Sequence, residues 1–324
     1  MSEPTLEDVY DARRIISRYL KQTPFFKSAM LSKKLGLDAY IKCENLQPVG
    51  AFKVRGGINL ISKLSDDERR RGVITASTGN HGLSIAYASN MFGVKAIIGA
   101  PEGANPYKIE AIRDLGATIE LHGKDFDESK AWVEAKAREE GYRYIHSGNE
   151  PLLIAGVGTV YLEIIEELPD VDVILVPVGG GSGASGACIV AKTINPSIQV
   201  IGIQSEGAPA VYESWKTGKL VTKDRLETFA DGLATRAPFE LPLAIMRRLL
   251  DDMLLVSEDE LKRAIVLLLE TTHQLAEGAG AAATAAAVKL RHQLKGKKVA
   301  LVISGGNLTS QVLKEIFQQY EPSL

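Results

Sequence analysis

Several features are scarce in this sequence, and their scarcity excludes whole classes of protein. The 324 residues include only two cysteines, Cys43 and Cys188, which cannot build a disulfide framework and lack C-x-x-C spacing. No uncharged apolar run reaches the roughly 18 residues that a membrane-spanning helix needs. The N-terminal residues are acidic and polar, whereas a secretory signal begins with basic and then apolar residues. The sequence therefore predicts a cytoplasmic protein with no membrane partner.

An excess of either charge is also lacking. The chain has 38 Lys and Arg residues and 40 Asp and Glu residues, which leaves a formal charge of -2. No basic field therefore indicates nucleic acid as a partner. The five histidines show no spacing typical of metal ligands, so the sequence predicts no histidine metal site. A small molecule is the partner that this composition favours.

Short apolar runs alternate with helical patterns through most of the chain. Each pair is roughly 20 to 30 residues long, which is typical of βα units. The apolar runs lie at residues 73–76, 95–99, 118–121, 171–178, 198–203 and 298–303. Helical patterns lie at residues 81–92, 107–115, 128–140, 153–168 and 261–276. Because the later runs are apolar on both faces, the pattern predicts an α/β fold with mostly parallel sheets that helices cover on both sides.

The domain organisation follows from where these units lie. The sequence has no internal repeat and no long linker that would separate domains in tandem. Residues 72–147 contain one compact series of βα units, and comparable units continue further along the chain. We therefore expect two interleaved domains: a small α/β domain at residues 72–147, and a large discontinuous domain of residues 1–71 and 148–324.

A glycine-rich segment follows the apolar run at 171–178 and precedes a helical pattern at 187–194. Its residues are Gly179, Gly180, Gly181, Ser182, Gly183, Ala184, Ser185 and Gly186. Glycines let the backbone turn with positive φ and direct successive N–H groups inward, and a helix N-terminus adds about half a positive charge. The segment therefore predicts a cradle for an anion, of which a phosphate is the first choice.

The same glycines allow two other interpretations. Residues 181–186 also satisfy G-x-G-x-x-G, and Glu206 lies 20 residues beyond the last glycine, as a dinucleotide site requires. A nicotinamide-dependent oxidoreductase is therefore the alternative from another enzyme class. A purely structural turn is the third interpretation, and the glycine segment alone does not decide among them.

Lys53 is the candidate catalytic residue of the N-terminal region. It follows Phe52 and lies among small residues, at the start of a helical pattern that ends at residue 64. Partial desolvation near a helix N-terminus favours the neutral amine, which Schiff-base chemistry requires. A lone lysine is more often a solvated surface group, so other segments must support this role.

Six segments together indicate a protein family. They are residues 42–57, 77–81, 179–183, 230–232, 277–282 and 304–307. In this order they resemble the motifs of the fold-type II pyridoxal-phosphate enzymes, the family of threonine and serine dehydratases and serine racemase. The resemblance spans nearly the whole chain. It implies a fold like that of the tryptophan synthase β subunit, with pyridoxal 5'-phosphate as the cofactor of the large domain.

The resemblance implies a role for each matching residue. Lys53 would hold the cofactor as a Schiff base and act as the base at Cα, with Phe52 close to the pyridine ring. Asn80 would bind the ring hydroxyl, and Ser304 would bind the ring nitrogen. The cofactor phosphate would be bound by Gly179, Gly180, Gly181, Ser182 and Gly183. The substrate carboxylate would be surrounded by Ser77, Thr78, Asn80 and His81.

Ser304 and Thr78 bear on the type of reaction. A hydroxyl partner leaves the pyridine nitrogen unprotonated or weakly protonated, which favours elimination over transamination. The resemblance therefore implies β-elimination of water from a β-hydroxy amino acid such as L-threonine or L-serine, giving a 2-oxo acid and ammonia. Thr78 is a further candidate catalytic residue, because it stands where a racemase has the serine of the opposite face. An amino-acid racemase, or a dehydratase of a bulkier 3-hydroxy amino acid, is the nearest alternative.

Two further expectations come from the same resemblance. The family often binds a divalent cation through an acidic residue in the segment that matches residues 203–210. Gln204 and Ala210 occupy the matching places and offer weak or no ligation to a hard cation, so we expect no activating metal at that site. A homodimer is the assembly that the family implies.

Overall fold

The computed structural model describes residues 2–77, 79–104 and 106–320, so Thr78 lies outside the described residues. The strands are β1 (Phe25–Lys27), β2 (Asp38–Cys43), β3 (Val73–Ala76), β4 (Ala96–Ala100), β5 (Thr118–Leu121), β6 (Arg143–Tyr144), β7 (Val173–Pro177), β8 (Gln199–Ser205), β9 (Asp252–Val256) and β10 (Lys298–Ile303). The α-helices are α1 (Leu6–Ile16), α2 (Ala29–Leu35), α3 (Lys53–Ser62), α4 (Asp66–Arg71), α5 (Asn80–Met91), α6 (Pro106–Asp114), α7 (Phe126–Glu140), α8 (Pro151–Glu167), α9 (Ser182–Ile194), α10 (Ala210–Thr217), α11 (Glu240–Leu249), α12 (Glu258–Thr272), α13 (Gly278–Lys289) and α14 (Ser310–Gln319).

The described chain divides into two compact units. The first comprises residues up to Leu20 together with Lys53–Val157, and the second comprises Lys21–Phe52 together with residues from Gly158 onward. The chain therefore leaves each unit and later returns to it. One unit boundary falls at the peptide bond between Phe52 and Lys53, in the middle of the predicted cofactor motif. The domain bounds at 72 and 147 stay a prediction from sequence.

The first unit contains a four-stranded parallel sheet in the order β5, β4, β3, β6. Strands β3 and β4 are buried along their whole length and pair with Val73 opposite Ala96. Helix α7 packs against this sheet through Val133. Gly99 permits the close approach, because a Cβ there would lie 2.2 Å from the Val133 side chain. The parallel α/β arrangement predicted for this region is confirmed.

The second unit contains a six-stranded sheet in the order β1, β2, β10, β7, β8, β9. Every neighbouring pair is parallel except β1 with β2. Buried side chains of the sheet and of α2, α12 and α13 form its main hydrophobic core. Since β7 and β10 are parallel neighbours, their carboxyl ends lie at the same edge of the sheet, where ligands bind in open parallel sheets.

Helix α13 explains the Ala-rich stretch of the sequence. It consists almost entirely of glycine and alanine and is buried along most of its length. Its Gly280 packs against the turn that follows β10, because a Cβ at this position would lie 2.2 Å from the carbonyl oxygen of Gly305. Small residues thus let a whole helix approach the backbone beside Ser304, and this close packing fixes the end of β10.

Helix α8 is the longest of the described helices, with 17 residues. In the first unit its Gly156 lies against α3, because a Cβ there would be 2.7 Å from the carbonyl oxygen of Arg55. The helix then continues past Val157 into the second unit. Within the described part of the chain, no helix has both the length and the apolar character that crossing a membrane requires.

Four strands and several helix ends differ from the sequence prediction. The apolar pattern predicts no strand at β1, β2, β6 or β9. Strands β1 and β6 have only three and two residues, and β2 contains the charged Lys42. Helix α9 begins at Ser182 rather than at residue 187. Its first turn consists of glycine, serine and alanine, which carry little hydrophobic periodicity, so the pattern becomes visible only further along the helix.

Candidate active site

The predicted site residues fall into two groups, one in each unit. Phe52, Ser304 and the glycine segment 179–183 belong to the second unit, whereas Lys53, Ser77, Asn80 and His81 belong to the first. Thr78 lies outside the described residues, so its assignment as a catalytic and substrate-binding residue stays a prediction.

The glycine segment of the second unit follows β7, as the sequence predicts, and its residues from Ser182 onward form the first turn of α9. Gly181 has a φ of 90°, a left-handed conformation that favours glycine, and it precedes the first residue of α9. The N-cap residue of this helix is Gly181 itself, which has no side chain to cap the first N–H groups. The N–H groups of its first turn therefore form a positively polarised end of the kind that binds phosphate.

Close packing explains why most residues of this segment are glycines, which have no side chain. A Cβ at Gly179 would lie 2.0 Å from the carbonyl oxygen of Gly232, and a Cβ at Gly180 would lie 2.4 Å from the ring of Phe239. A Cβ at Gly183 would lie 3.3 Å from the ring of Phe52. Side chains at these positions would fill the turn or displace its walls. The segment thus fits a phosphate that is bound by backbone N–H groups.

Ser304 and Phe52 are held together in the second unit. Ser304 follows the last residue of β10 and is buried, and its carbonyl oxygen accepts a hydrogen bond of 2.9 Å from the backbone N–H of Phe52. A β-bridge between Ala51 and Gly305 extends this contact. Since the Phe52 ring also lies beside Gly183, the structure brings together three of the predicted cofactor-binding positions.

Lys53 is the first residue of α3 in the first unit. Its side chain is half-buried, and desolvation by burial lowers the pKa of its ammonium group from 10.5 to about 8. The carbonyl oxygen of Lys53 accepts a hydrogen bond of 2.6 Å from the Ser84 hydroxyl. Gly57 allows α3 and α5 to approach, because a Cβ there would lie 2.4 Å from the same hydroxyl. Lys53 is therefore a partly neutral amine on an anchored backbone.

The loop between β3 and α5 carries the predicted substrate ligands. The Ser77 hydroxyl oxygen accepts hydrogen bonds from the backbone N–H groups of Gly79, at 3.2 Å, and Gly82, at 3.0 Å. These bonds use its lone pairs and leave its O–H as the group that it can donate. Asn80 is the half-buried first residue of α5, so its side chain lies at a helix N-terminus.

His81 is a buried histidine whose proton can be placed from its contacts. The Thr75 hydroxyl donates to the carbonyl oxygen of Ile145 at 2.7 Å and lies 2.9 Å from Nε2 of His81. A hydroxyl has one proton, so Nε2–H must be the donor in the second contact. Burial, and then the positive charge of Lys53, lower the pKa of His81 from 6.5 to about 3. The imidazole is therefore neutral, with its proton on Nε2.

This assignment predicts the titration of His81. The folded pKa lies below 6.5, so the unfolded chain takes up the proton first as the pH falls, and the contribution of this group to stability is lost towards pH 3. Long-range ¹H–¹⁵N spectra of the ¹⁵N-histidine protein should show an unchanged Nε2–H tautomer from about pH 8 to about pH 5. Thr75→Val removes the acceptor and should mix the tautomers. An Nδ1–H pattern in the wild type would contradict the assignment.

Two supporting contacts of the first unit escape the sequence prediction. Ser84 anchors the carbonyl group of Lys53, and Thr75 fixes the tautomer of His81. Only their places in the chain could have indicated these residues: Thr75 lies within β3, and Ser84 lies on α5 four residues after Asn80. Ser84 contacts a residue 31 positions earlier. Thr75 lies six positions before His81, but its second bond, to Ile145, spans 70 positions. Neither contact forms a local motif.

The second unit contains a buried ion pair that also escapes prediction. Lys42 is fully buried in β2, and its Nζ lies 2.6 Å from a carboxylate oxygen of Glu163 on α8. The same ammonium donates to the carbonyl oxygen of Thr23 at 2.9 Å. Because β2 is the parallel neighbour of β10, removing either partner would leave an unpaired buried charge beside the strand that leads to Ser304.

Glu206 and Gln204, the residues that bear on a dinucleotide site and on a cation site, form other contacts in the structure. Glu206, the acidic residue of the dinucleotide interpretation, is exposed and lies 3.7 Å from Nζ of Lys289. Gln204, at the place of the family's cation ligand, is buried and accepts a hydrogen bond of 2.9 Å from the N–H of Tyr212. Among the described residues, no group of three or more His, Cys, Asp or Glu side chains could hold a metal ion.

Curated proteins with similar sequences match almost the whole chain. An L-threonine ammonia-lyase of Thermotoga maritima is 41% identical over 315 residues, which are 97% of this chain and 78% of that protein. The catabolic L-threonine dehydratase TdcB of Escherichia coli K12 is 36% identical over 313 residues, 96% of this chain and 95% of that protein.

Solved structures match equally well. The processed form of threonine deaminase isoform 2 from Solanum lycopersicum has a TM-score of 0.92 and 32% identity, covering 98% of this chain and 90% of that one. Maize serine racemase has a TM-score of 0.91 and 31% identity, covering 98% of both chains. The family model described as "Pyridoxal-phosphate dependent enzyme" matches residues 16–305. This chain therefore belongs to the family of pyridoxal-phosphate dependent enzymes.

Proposed function

We propose that this enzyme eliminates water from L-threonine and, more generally, from small β-hydroxy amino acids, and releases a 2-oxo acid and ammonia. The observation that carries the proposal is the match of 96–97% of this chain to threonine ammonia-lyases and dehydratases at 36–41% identity. The amine of Lys53, whose pKa is lowered to about 8, is the local feature that suits this chemistry.

Pyridoxal 5'-phosphate is the cofactor of this family, and when bound it delocalises the negative charge that develops at Cα. In the proposal the backbone N–H groups of residues 179–183 and the N-terminus of α9 bind its phosphate. Lys53 would hold it covalently, Asn80 would bind its ring hydroxyl, and Ser304 would bind its ring nitrogen. Three observations support these roles. The N-terminus of α9 is positively polarised and suits a phosphate. Ser304 is a buried hydroxyl, and Lys53 is a desolvated amine.

Proton transfer at Cα would be the task of Lys53, once the substrate amine has replaced the lysine amine on the cofactor and freed it. A base near neutral pH must be unprotonated and yet basic enough to take the proton, and a pKa of about 8 meets both conditions better than 10.5 does. The β-hydroxyl would then leave as water, with a proton that the cofactor phosphate would supply. Hydrolysis of the released enamine by water would give the 2-oxo acid and ammonia.

The substrate carboxylate is bound, in the proposal, by the loop between β3 and α5. Ser77 can donate its O–H, because its lone pairs accept two backbone N–H groups. Asn80 and the backbone at the N-terminus of α5 add donors and positive polarity. His81 is neutral and bonded to Thr75, so as a substrate ligand it would contribute a dipole rather than a charge.

We also propose that the enzyme is a homodimer in the cytoplasm, as the resemblance to its family implies. Cys43 and Cys188 are buried free thiols whose pKa values are raised to about 12 by desolvation, so neither is a reactive thiolate at physiological pH. Light scattering during size-exclusion chromatography measures the assembly: a mass of twice 35.0 kDa supports the dimer, and a monomer contradicts it.

A substrate panel tests the reaction. Purified enzyme is incubated with L-threonine, L-serine and a bulkier 3-hydroxy amino acid, and release of 2-oxo acid and ammonia is measured. We expect equal amounts of both products, with L-threonine giving the highest kcat/KM. Chiral chromatography of the recovered substrate tests the racemase alternative: D-amino acid without 2-oxo acid would overturn the elimination proposal. Lys53→Ala serves as the inactive control.

A further inference from the structure

Tyr161 is a large buried residue that the proposed chemistry does not use. It lies on the part of α8 that belongs to the second unit and is 1% exposed, among the largest fully buried side chains of the described residues. Its hydroxyl oxygen lies 3.2 Å from the position that a Cβ of Gly183 would occupy. Tyr161 therefore reaches the first turn of α9, where the backbone cradle is formed.

The Phe52 ring occupies the other side of the same glycine. A Cβ at Gly183 would meet this ring at 3.3 Å and the Tyr161 hydroxyl at 3.2 Å. The absence of a side chain at Gly183 thus admits an aromatic ring and a polar hydroxyl together at the helix end. A tyrosine hydroxyl can accept one hydrogen bond and still donate another, whereas a phenylalanine at position 161 would supply only the packing.

The glycine segment contains no basic residue, so a nearby hydroxyl donor would help it to bind a phosphate. From Val178 to Ala191 the sequence contains no lysine or arginine, and the first basic residue of α9 is Lys192 near its far end. A phosphate dianion in this cradle must therefore be stabilised by N–H groups, hydroxyls and the helix dipole. One additional O–H donor is valuable where no cation is supplied by the segment.

We propose that Tyr161 is a positioning residue for the cofactor phosphate. Its Oη–H donates a hydrogen bond to the phosphate bound by the glycine segment, and its ring fixes Gly183 together with Phe52. The inference rests on the proposed phosphate-binding role of residues 179–183 and is independent of which amino acid is the substrate. In this proposal Tyr161 contributes to cofactor binding and is not only a buried packing residue.

The Tyr161→Phe variant tests this proposal, because it removes the hydroxyl and keeps the ring. Full-length holoenzyme is dialysed to equilibrium against a concentration series of pyridoxal 5'-phosphate or of pyridoxal, which lacks the phosphate. We expect about tenfold weaker binding of pyridoxal 5'-phosphate and unchanged binding of pyridoxal. The ³¹P resonance of the bound phosphate should also shift. The control Tyr40→Phe removes a hydroxyl from β2 and should leave both affinities unchanged.

Each outcome decides the matter. Equal weakening for the two ligands, or none for either, together with an unchanged ³¹P resonance, would assign Tyr161 to packing and overturn the proposal. Gly179→Ala in the same assay reports on the glycine segment itself. If Gly179→Ala weakens only pyridoxal 5'-phosphate while Tyr161→Phe weakens neither, the segment binds the phosphate and the Tyr161 proposal alone fails. If Gly179→Ala fails to discriminate the two ligands, the phosphate site assigned under the proposed function fails.

Discussion

The Lys53→Ala variant should lose both turnover and the covalently held cofactor. Loss of a positioned general base alone costs about 10² to 10⁴ in rate, and here the same residue also holds the cofactor. We therefore expect kcat to fall by at least about three orders of magnitude. The visible absorbance of the bound cofactor should disappear with it. The fold should persist, because Lys53 is the half-buried first residue of α3 and is not part of a hydrophobic core.

Borohydride trapping measures the covalent role of Lys53 directly. The reductant converts the C=N bond between lysine and cofactor into a stable amine, and peptide mass mapping then identifies the modified residue. We expect the label on Lys53 in the wild type and no label in Lys53→Ala. Lys63→Ala is the matched control, because Lys63 is an exposed lysine just beyond the end of α3. Label on another lysine, or full activity of Lys53→Ala, would contradict the assignment.

Much of the fold could be predicted because burial leaves a local pattern. Strand β3 reads Val-Ile-Thr-Ala and is buried throughout, so its apolar run indicates a strand covered on both faces. The run at 298–303 predicts β10 with the bounds that the structure has. The resemblance to fold-type II pyridoxal-phosphate enzymes is also confirmed by the family match over residues 16–305.

Elements whose burial depends on distant partners could not be predicted in this way. Strand β2 contains Lys42, and a charge within a strand argues against burial unless a partner is known. Its partner, Glu163, lies more than a hundred residues away on α8, and only the folded chain brings the two together. Strand β9 contains the apolar run 253–256, but a run this short cannot be assigned to a strand rather than to a buried helix from its pattern alone.

In the candidate site, the motif residues could be predicted from the sequence, whereas the residues that position them could not. Lys53, Ser77 and the glycine segment stand out through residue types that chemistry requires. Ser84, which bonds to the carbonyl of Lys53, is an ordinary serine in the sequence. Tyr161 is likewise an ordinary apolar-helix residue until its hydroxyl is found beside Gly183. Residues that position other residues act through tertiary contacts, so sequence patterns alone do not reveal them.

The glycine segment is the second place where a single substitution should have a large effect. In Gly179→Ala the new Cβ would lie 2.0 Å from the carbonyl oxygen of Gly232, which is a backbone atom and not the end of a flexible side chain. Overpacking of this kind costs roughly 1 to 3 kcal/mol in stability, and a backbone clash belongs at the upper end. The displaced turn would also misdirect the N–H groups at the start of α9.

Stability and cofactor affinity should therefore fall together in Gly179→Ala. Urea unfolding of the holoenzyme should show a lower midpoint with little change in slope. Equilibrium dialysis should show weaker binding of pyridoxal 5'-phosphate. Gly103→Ala is the matched control, since a Cβ there meets nothing within 4 Å and the backbone is not left-handed, so both properties should stay as in the wild type. A stable Gly179→Ala protein with wild-type affinity would show that the turn tolerates a side chain, and the cradle would then need another explanation.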